Sequence, residues 1–380
     1  MKTKKTTEHF LPESSIGCQK KIVSISFGPK QCGKKVYIQA GLHADEAPGY
    51  LVATMLLEFL EQADTKGDIL GEIVVVPVAN PIGLSQWSGD TIQGRFDSFD
   101  NVNFNRNYPE LIEQIGNKIK NRLSASQSEN VALIRECTAQ ILADIEPAGE
   151  TEFLKHLLLS LAHDADIVLD LHCDHQALLH VYMGTSLWPD ASDLSAQIGA
   201  PTTLLASDSG GTPFDEANSK LWWVLAEKFP AYPIPPACLA ATVELRGVTD
   251  TDMKETEQDA RNIYSFLQRR GYIAGTAPKL PELLAEATPL EGVDYVTTES
   301  TGILAFLKKP GDFVRKGEPI AKLIHPMNIS GSGEDVIVTS RTEGILFARC
   351  LDRFARPGKI VAKIAGKKIL DGKGKKLLTS

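Results

Sequence analysis

Residues 167–172 read Ile-Val-Leu-Asp-Leu-His, and this stretch decides the fold class. It is short, starts with apolar branched residues and has few polar gaps, the pattern of a strand covered on both faces. Similar runs lie on either side of it. ATVEL at 241–245 follows it, and EIVVVPVANP at 72–81, KVYIQA at 35–40 and KIVSISF at 21–27 precede it; all four read as strands between Gly and Pro signals. Gly41 to Glu46 reads as a loop. Pro48 then opens a helix to about Ala63, with apolar residues at Leu51, Met55, Leu56 and Phe59. Residues 110–165 read mainly as helices, and a helix from Asp252 to Arg270 closes the series. Strands alternating with helices give an α/β layered domain.

The chain has 380 residues, enough for two or three domains. With 43% apolar and 23% charged residues it has ordinary globular composition. A formal net charge of −8 argues against nucleic acid or an anionic membrane as the main partner. The charge is uneven: residues 287–380 carry a net +6 and the remainder a net −14. Six cysteines, at 18, 32, 137, 173, 238 and 350, form no Cys-x-x-Cys pair and suggest no disulfide framework. A reducing compartment suits them. The N-terminal residues lack the apolar core of a signal peptide, and no apolar stretch is long enough to span a bilayer. The expectation is a soluble, cytoplasmic protein.

The C-terminal part contains an internal repeat. Gly302-Ile303-Leu304 recurs as Gly344-Ile345-Leu346, Phe313-Val314-Arg315-Lys316-Gly317 as Phe354-Ala355-Arg356-Pro357-Gly358, and Ile320-Ala321-Lys322-Leu323 as Val361-Ala362-Lys363-Ile364. One copy cannot bury its apolar face alone, but two can close on each other. Pro278, Pro281 and Pro289 punctuate a linker before it. The expected division is a domain over 1–286, a small β-barrel over 287–366 and a basic tail over 367–380. The repeat resembles the halves of biotinyl/lipoyl carrier domains, which present a modified lysine between the halves. The corresponding connection here, HPMNISGSGEDV at 325–336, has no lysine, so a carrier role is not expected. The repeat is closer to the barrel-sandwich hybrids that cover active sites in some metallohydrolases.

One motif is a decoy. Gly28 to Lys35 nearly matches a phosphate-binding loop, but Lys35 stands where Ser or Thr must reach Mg²⁺, and a strand follows rather than a helix. It reads as a hairpin turn. His43-Ala44-Asp45-Glu46 is more informative, because His and Glu three apart can converge on one metal if the loop curls. Asp170 and His172 share one strand face, so Asp170 can orient His172 as a ligand. Functional residues of α/β sheets collect at such carboxyl strand ends. Glu244 is a carboxylate inside an apolar strand, where it must be paired or used. It is either a general base or the partner of Arg246. Asn105-Arg106, with Arg95 ten residues earlier, can hold an anionic substrate and polarise a carbonyl.

Taken together and in this order, these motifs resemble the zinc carboxypeptidase superfamily, and most closely its succinylglutamate desuccinylase/aspartoacylase family. GLHADEAPG at 41–49 is similar to that family's Gly-x-His-Gly-x-Glu block, NFNRNYP at 103–109 to its Asp-Leu-Asn-Arg-x-Phe-Pro block and DLHCD at 170–174 to its Asp-Leu-His block. Ala44 replaces the usual Gly, and Asn103-Phe104 replaces Asp-Leu. The resemblance spans roughly residues 20–275, and the C-terminal barrel also occurs in the family. It implies a three-layer carboxypeptidase-like domain with a mixed sheet, plus an all-β barrel-sandwich hybrid. It implies one Zn²⁺ per chain on His43, Glu46 and His172, with Asp170 behind the ligands. Glu244 would then be the general base, Arg95 the oxyanion partner and Asn105 with Arg106 the grip on a substrate carboxylate. Arg246 is either a specificity contact or the partner of Glu244. The implied reaction is deacylation of a small anionic N-acyl amino acid or related amide. A carboxypeptidase acting on peptides would use the same site, and a non-catalytic metal-binding protein is the alternative outside enzymes. Cys173, Asp174, His175 and His180 read as packed or solvated. Pocket size depends on loops around 84–100 and 205–220, and the sequence is silent on oligomeric state.

Overall fold

A computed structural model describes residues 2–30, 32–327, 336–370 and 377–378. A nine-stranded mixed sheet forms the body of the protein. Its strands run, in spatial order, Lys5–Ser15, Cys18–Phe27, Glu72–Val76, Lys35–Ala40, Ile167–Asp174, Leu239–Gly247, His180–Gly184, Thr202–Ala206 and Thr288–Pro289. The four strands from Glu72–Val76 to Leu239–Gly247 are mutually parallel. They are the apolar runs read from the sequence, and helices cover both their faces.

Strand periodicity divides the core. Val36, Ile38 and Ala40 pack with helices Ala47–Lys66, Ser192–Ile198 and Met253–Arg269 on one face. Tyr37, between them in sequence, points to the other face, with helices Ile112–Ile119, Gln127–Ala143, Glu150–Ala162 and Phe214–Lys228. The long helices begin near their expected caps. Pro48 lies in the first turn of Ala47–Lys66, and Asp252 caps Met253–Arg269 by accepting from the Lys254 and Glu255 backbone N–H groups.

Two local expectations are corrected. Residues 28–34 are not a hairpin turn, because Glu72–Val76 lies between the two strands they connect. The strand Lys5–Ser15 was not expected; it is an edge strand, mostly exposed, whose polar side chains carry no core signal.

The C-terminal strands form two small sheets, one of which also pairs with the short strand Gln176–Ala177. The two repeat copies interlock. Phe313–Val314 of the first copy pairs with Gly344–Arg349 of the second, and Phe354–Ala355 of the second pairs with Gly302–Phe306 of the first. Equivalent residues, Leu304 with Leu346 and Leu323 with Ile364, meet in one core. Each copy thus completes the other's sheet, as the repeat required. This unit is not independent of the large sheet. Thr288–Pro289 extends the sheet beside Thr202–Ala206, and Ala348 and Arg349 pair with Ala177 and Gln176. Most of the 325–336 connection and of the basic 367–380 tail, at 328–335, 371–376 and 379–380, lies outside the described residues.

Candidate metal centre and substrate pocket

The parallel strands Lys35–Ala40, Ile167–Asp174 and Leu239–Gly247 end on the same side of the sheet, and the candidate residues collect there. Register places Glu244 directly beside His172 on neighbouring strands. His43 and Glu46 come from the turn after Ala40, where the Glu46 N–H donates to the His43 carbonyl at 3.2 Å. Gly41 makes the turn possible: its φ is +71°, and a Cβ there would lie 2.2 Å from the Tyr50 ring. Buried Asn80 holds the same turn from below, donating to the Leu42 carbonyl at 2.9 Å. The Ala44 N–H donates to the Gly94 carbonyl at 3.0 Å, which brings the segment carrying Arg95 alongside.

The hydrogen bonds assign the two imidazoles. His43 Nε2 lies 3.0 Å from Asn103 Oδ1, an acceptor, so Nε2 carries the proton. His172 Nε2 lies 2.8 Å from Asp170 Oδ2, with the same consequence. Both Nδ1 atoms then turn lone pairs toward the Glu46 carboxylate, at 3.0 Å from His43 and 2.8 Å from His172. One nitrogen of each ring and a carboxylate oxygen lie within 4.8 Å of one another, on three buried residues. Converging lone pairs in a dry place need a cation, and two imidazole nitrogens with a carboxylate oxygen suit zinc. The acid–base tendencies of the two rings differ: one stays neutral, and the other holds a second proton that a bound cation would have to displace. Burial lowers the His43 pKa to about 4, reinforced by Arg95, so that ring is neutral. Burial opposes charge on His172 as well, but Asp170 and Glu46 outweigh it and raise its pKa. The Arg95 guanidinium already donates to His43 Nδ1 at 3.2 Å and to Glu46 Oε1 at 3.4 Å.

Asp170 accepts from His172 Nε2, the contact an orienting residue would make. Its counterpart on His43 is Asn103, one of the two departures from the family pattern. Asn103 supplies the same acceptor oxygen without the charge. Asn103→Ala is expected to weaken zinc binding by about 10–100-fold in a chelator competition titration. Asn103→Asp is expected to retain it.

Glu244 stands beside this cluster. Its Oε2 is buried and has no hydrogen-bond partner among the described residues. Burial raises its pKa to about 8, and the Glu46 charge adds to the effect. The alternative pairing with Arg246 does not form. A bulge follows Glu244 and Arg246 adopts φ +63°, which breaks the two-residue period. Arg246 instead bonds Asp259 on the helix Met253–Arg269, and the structure does not bring it to the site. Cys173 is buried and donates only its backbone N–H here, to Glu46 Oε2 at 3.0 Å. Burial, then the Glu46 charge, raise its thiol pKa far above the ordinary value, which leaves it a packed thiol.

Asn105 and Arg106 line a pocket of about 70 Å³ with His43, Arg95, His172 and Glu244. Asn105 Oδ1 accepts from the Phe214 N–H at 2.8 Å, and the Arg106 carbonyl is held by buried Lys155 at 2.7 Å. Gly211 allows the Arg106 stem to pass, since a Cβ there would lie 3.0 Å from Arg106 Cδ. The loops flagged at 84–100 and 205–220 thus both reach the pocket.

Sequence reasoning assigned no site residue to the C-terminal repeat, and the structure brings two. Tyr295 and Lys363 line the same pocket. Lys363 reaches Asp174 at 2.5 Å and also lines an adjoining cleft of about 200 Å³ with Arg95, His175 and Arg349. Nothing local marks Lys363, since its repeat partner Lys322 has nearly identical neighbours. His180 is buried below Glu244 in register, with Nδ1 2.8 Å from the Leu178 carbonyl.

A model of the succinylglutamate desuccinylase/aspartoacylase catalytic domain matches residues 32–270. Among solved structures, a protein described as of that family from Shewanella amazonensis SB2B is similar over 96% of this chain and 99% of its own, with 27% identity and a TM-score of 0.83. A counterpart from Shewanella frigidimarina NCIMB 400 covers 96% and 98%, with 25% identity and a TM-score of 0.83. A succinylglutamate desuccinylase/aspartoacylase from Rhodobacter sphaeroides has 17% identity, covers 97% of both chains and shares the fold, with a TM-score of 0.68. No curated protein matches.

Proposed function

The chain belongs to the succinylglutamate desuccinylase/aspartoacylase family, and from that premise we propose that it is a zinc-dependent amidohydrolase that deacylates a small N-acyl amino acid. The observation that carries the reading is the convergence of His43, Glu46 and His172 beside a buried, unpartnered carboxylate oxygen of Glu244. A zinc ion held by those three residues supplies a Lewis acid and makes a nucleophile available near neutral pH.

The rest of the chemistry falls to the chain. Glu244 takes the proton of the attacking water at its carboxylate and returns it to the leaving amine. Arg95, whose guanidinium reaches His43 and Glu46, would stabilise the carbonyl oxygen as it gains charge. Arg106 receives the substrate carboxylate, and Asn105 fixes the wall beside it. We read the C-terminal repeat, from about residue 287, as a barrel-sandwich hybrid closing one side of a carboxypeptidase-like domain. The narrowness of the pocket and the contributions of Tyr295 and Lys363 support acyl amino acids over peptides.

We place the protein in the cytoplasm, free of membrane and nucleic-acid partners. All six cysteines are free thiols, and no helix among the described residues is long and apolar enough to cross a membrane.

The test offers the zinc-loaded protein N-acetyl amino acids, N-succinyl amino acids and short peptides side by side. Release of free amino acids from the acylated set is the expected result. Preferential release of C-terminal residues from peptides would make it a carboxypeptidase, and no hydrolysis with zinc bound would make it a binding protein.

A further inference from the structure

The pocket holds one acidic residue that the deacylation chemistry does not use. Asp215 is 6% exposed and lines the pocket with Arg106, Tyr182, Glu244 and Tyr295. It lies in the first turn of the helix Phe214–Lys228, where a carboxylate is favoured by the helix dipole. That preference explains an acid in the first turn, but not its burial toward a substrate pocket. The neighbouring Glu216 shows the contrast: its Oε1 accepts from the Ser209 N–H at 2.7 Å and serves the local fold. Among the described residues no side chain donates a hydrogen bond to the Asp215 carboxylate, although the Glu216 backbone N–H donates to it and the Arg106 charge acts on it. Burial, then the nearby charges of Glu216 and Asp170, push its pKa up to about 7. A carboxylate in such a place is costly unless something pairs with it.

Its position is also fixed. Asn105 Oδ1 holds the Phe214 N–H, so the residue next to Arg106 in sequence anchors the residue next to Asp215. The Phe214 ring packs against Tyr37 and Tyr108, with centroids at 5.8 and 5.2 Å. One built wall therefore carries a guanidinium and a carboxylate together, both facing the pocket.

We propose that Asp215 is a specificity-determining residue that receives a cationic amine on the side chain of the substrate's amino-acid portion, while Arg106 takes its carboxylate. The substrate class is then the N-acyl derivatives of diamino acids. The proposal rests on the deacylase reading for the acyl group, but its recognition element is separate from turnover.

The experiment exploits that separation by measuring binding of free amino acids to the zinc-loaded protein by calorimetry. The probes are the diamino acids from 2,3-diaminopropionate to lysine, with norvaline as the uncharged control and glutamate as the anionic one. At least one diamino acid is expected to bind about tenfold or more tightly than norvaline, as a charge-assisted contact allows. Asp215→Asn, which keeps size and shape, is expected to reduce that advantage to about twofold or less while leaving norvaline binding unchanged. Norvaline or glutamate binding as tightly as every diamino acid, absence of diamino-acid binding, or an advantage that survives Asp215→Asn would each overturn the proposal. Asp215→Ser repeats the test where Asp215→Asn fails to fold, and the wild-type comparison alone can still overturn the proposal. If selective binding holds but no acyl amino acid is hydrolysed, the deacylase reading fails and the role of Asp215 stands. If hydrolysis holds without selective binding, only the role of Asp215 fails.

Discussion

Glu244→Gln lowers kcat by about 10²–10⁴-fold, the range spanned by general acid–base catalysts, and leaves the zinc content at the wild-type value. The second half of that result matters as much as the first. Glu244 is not among the three converging ligand residues, so its amide analogue should not release the metal. Gln also fits the space, and it replaces a buried carboxylate whose Oε2 has no partner. The folded state therefore loses little, and the thermal midpoint should hold or rise. Loss of turnover with metal and fold intact isolates proton transfer as the missing step. The pH profile gives the same information by another route. A base must be deprotonated to act, so kcat/KM of the wild type falls as pH drops below the Glu244 pKa. In the Gln variant that acid limb disappears from the residual activity. A variant that retained the limb, or lost activity by less than about tenfold, would remove Glu244 from the mechanism.

The parts of this site that could be read from the sequence are those fixed by short-range periodicity. His172 and Asp170 share a face because side chains in a strand alternate, and the structure joins them at 2.8 Å. His43 and Glu46 lie three apart in a turn and meet at 3.0 Å. The same rule failed two residues past Glu244. The bulge and the positive φ of Arg246 interrupt the alternation, and Arg246 turns to Asp259. No hydrophobic pattern announces a bulge, because one extra residue leaves composition unchanged. Lys363 and Tyr295 were invisible for another reason. They reach the pocket only through the docking of the repeat on the large sheet, a contact between segments nearly 190 residues apart, as in the Lys363–Asp174 pair. The charge difference between the two parts of the chain was legible, but not that a basic residue of the C-terminal part, Lys363, lines the pocket of the other. Asp215 lay in a loop region already flagged as shaping the pocket. Its orientation depends on the Asn105–Phe214 bond, which no local pattern encodes.

Removing a ligand produces the other large effect, and it separates metal binding from simple structural support. His172→Ala is expected to abolish hydrolysis and to lower zinc affinity below what dialysis retains. It also leaves Asp170, which is 0% exposed, and Glu46 without the ring between them. Stripping a buried charge of its partner costs about 3–5 kcal/mol, so the variant should unfold at lower temperature than the wild type. A lower midpoint alone would not distinguish a ligand from a packed core histidine. The distinguishing quantity is the shift produced by added zinc. In the wild type, a ligand that binds only the folded state stabilises it by about 4 kcal/mol at a free concentration 1,000 times its Kd. A chelator should erase that shift and the activity together, and restored zinc should return both. In His172→Ala the zinc-dependent shift should vanish, because two residues of the set cannot hold the ion with comparable affinity. A wild-type midpoint indifferent to zinc and chelator would mean that the lone pairs of His43 and His172 are satisfied by protons, and the metal centre would have to be abandoned.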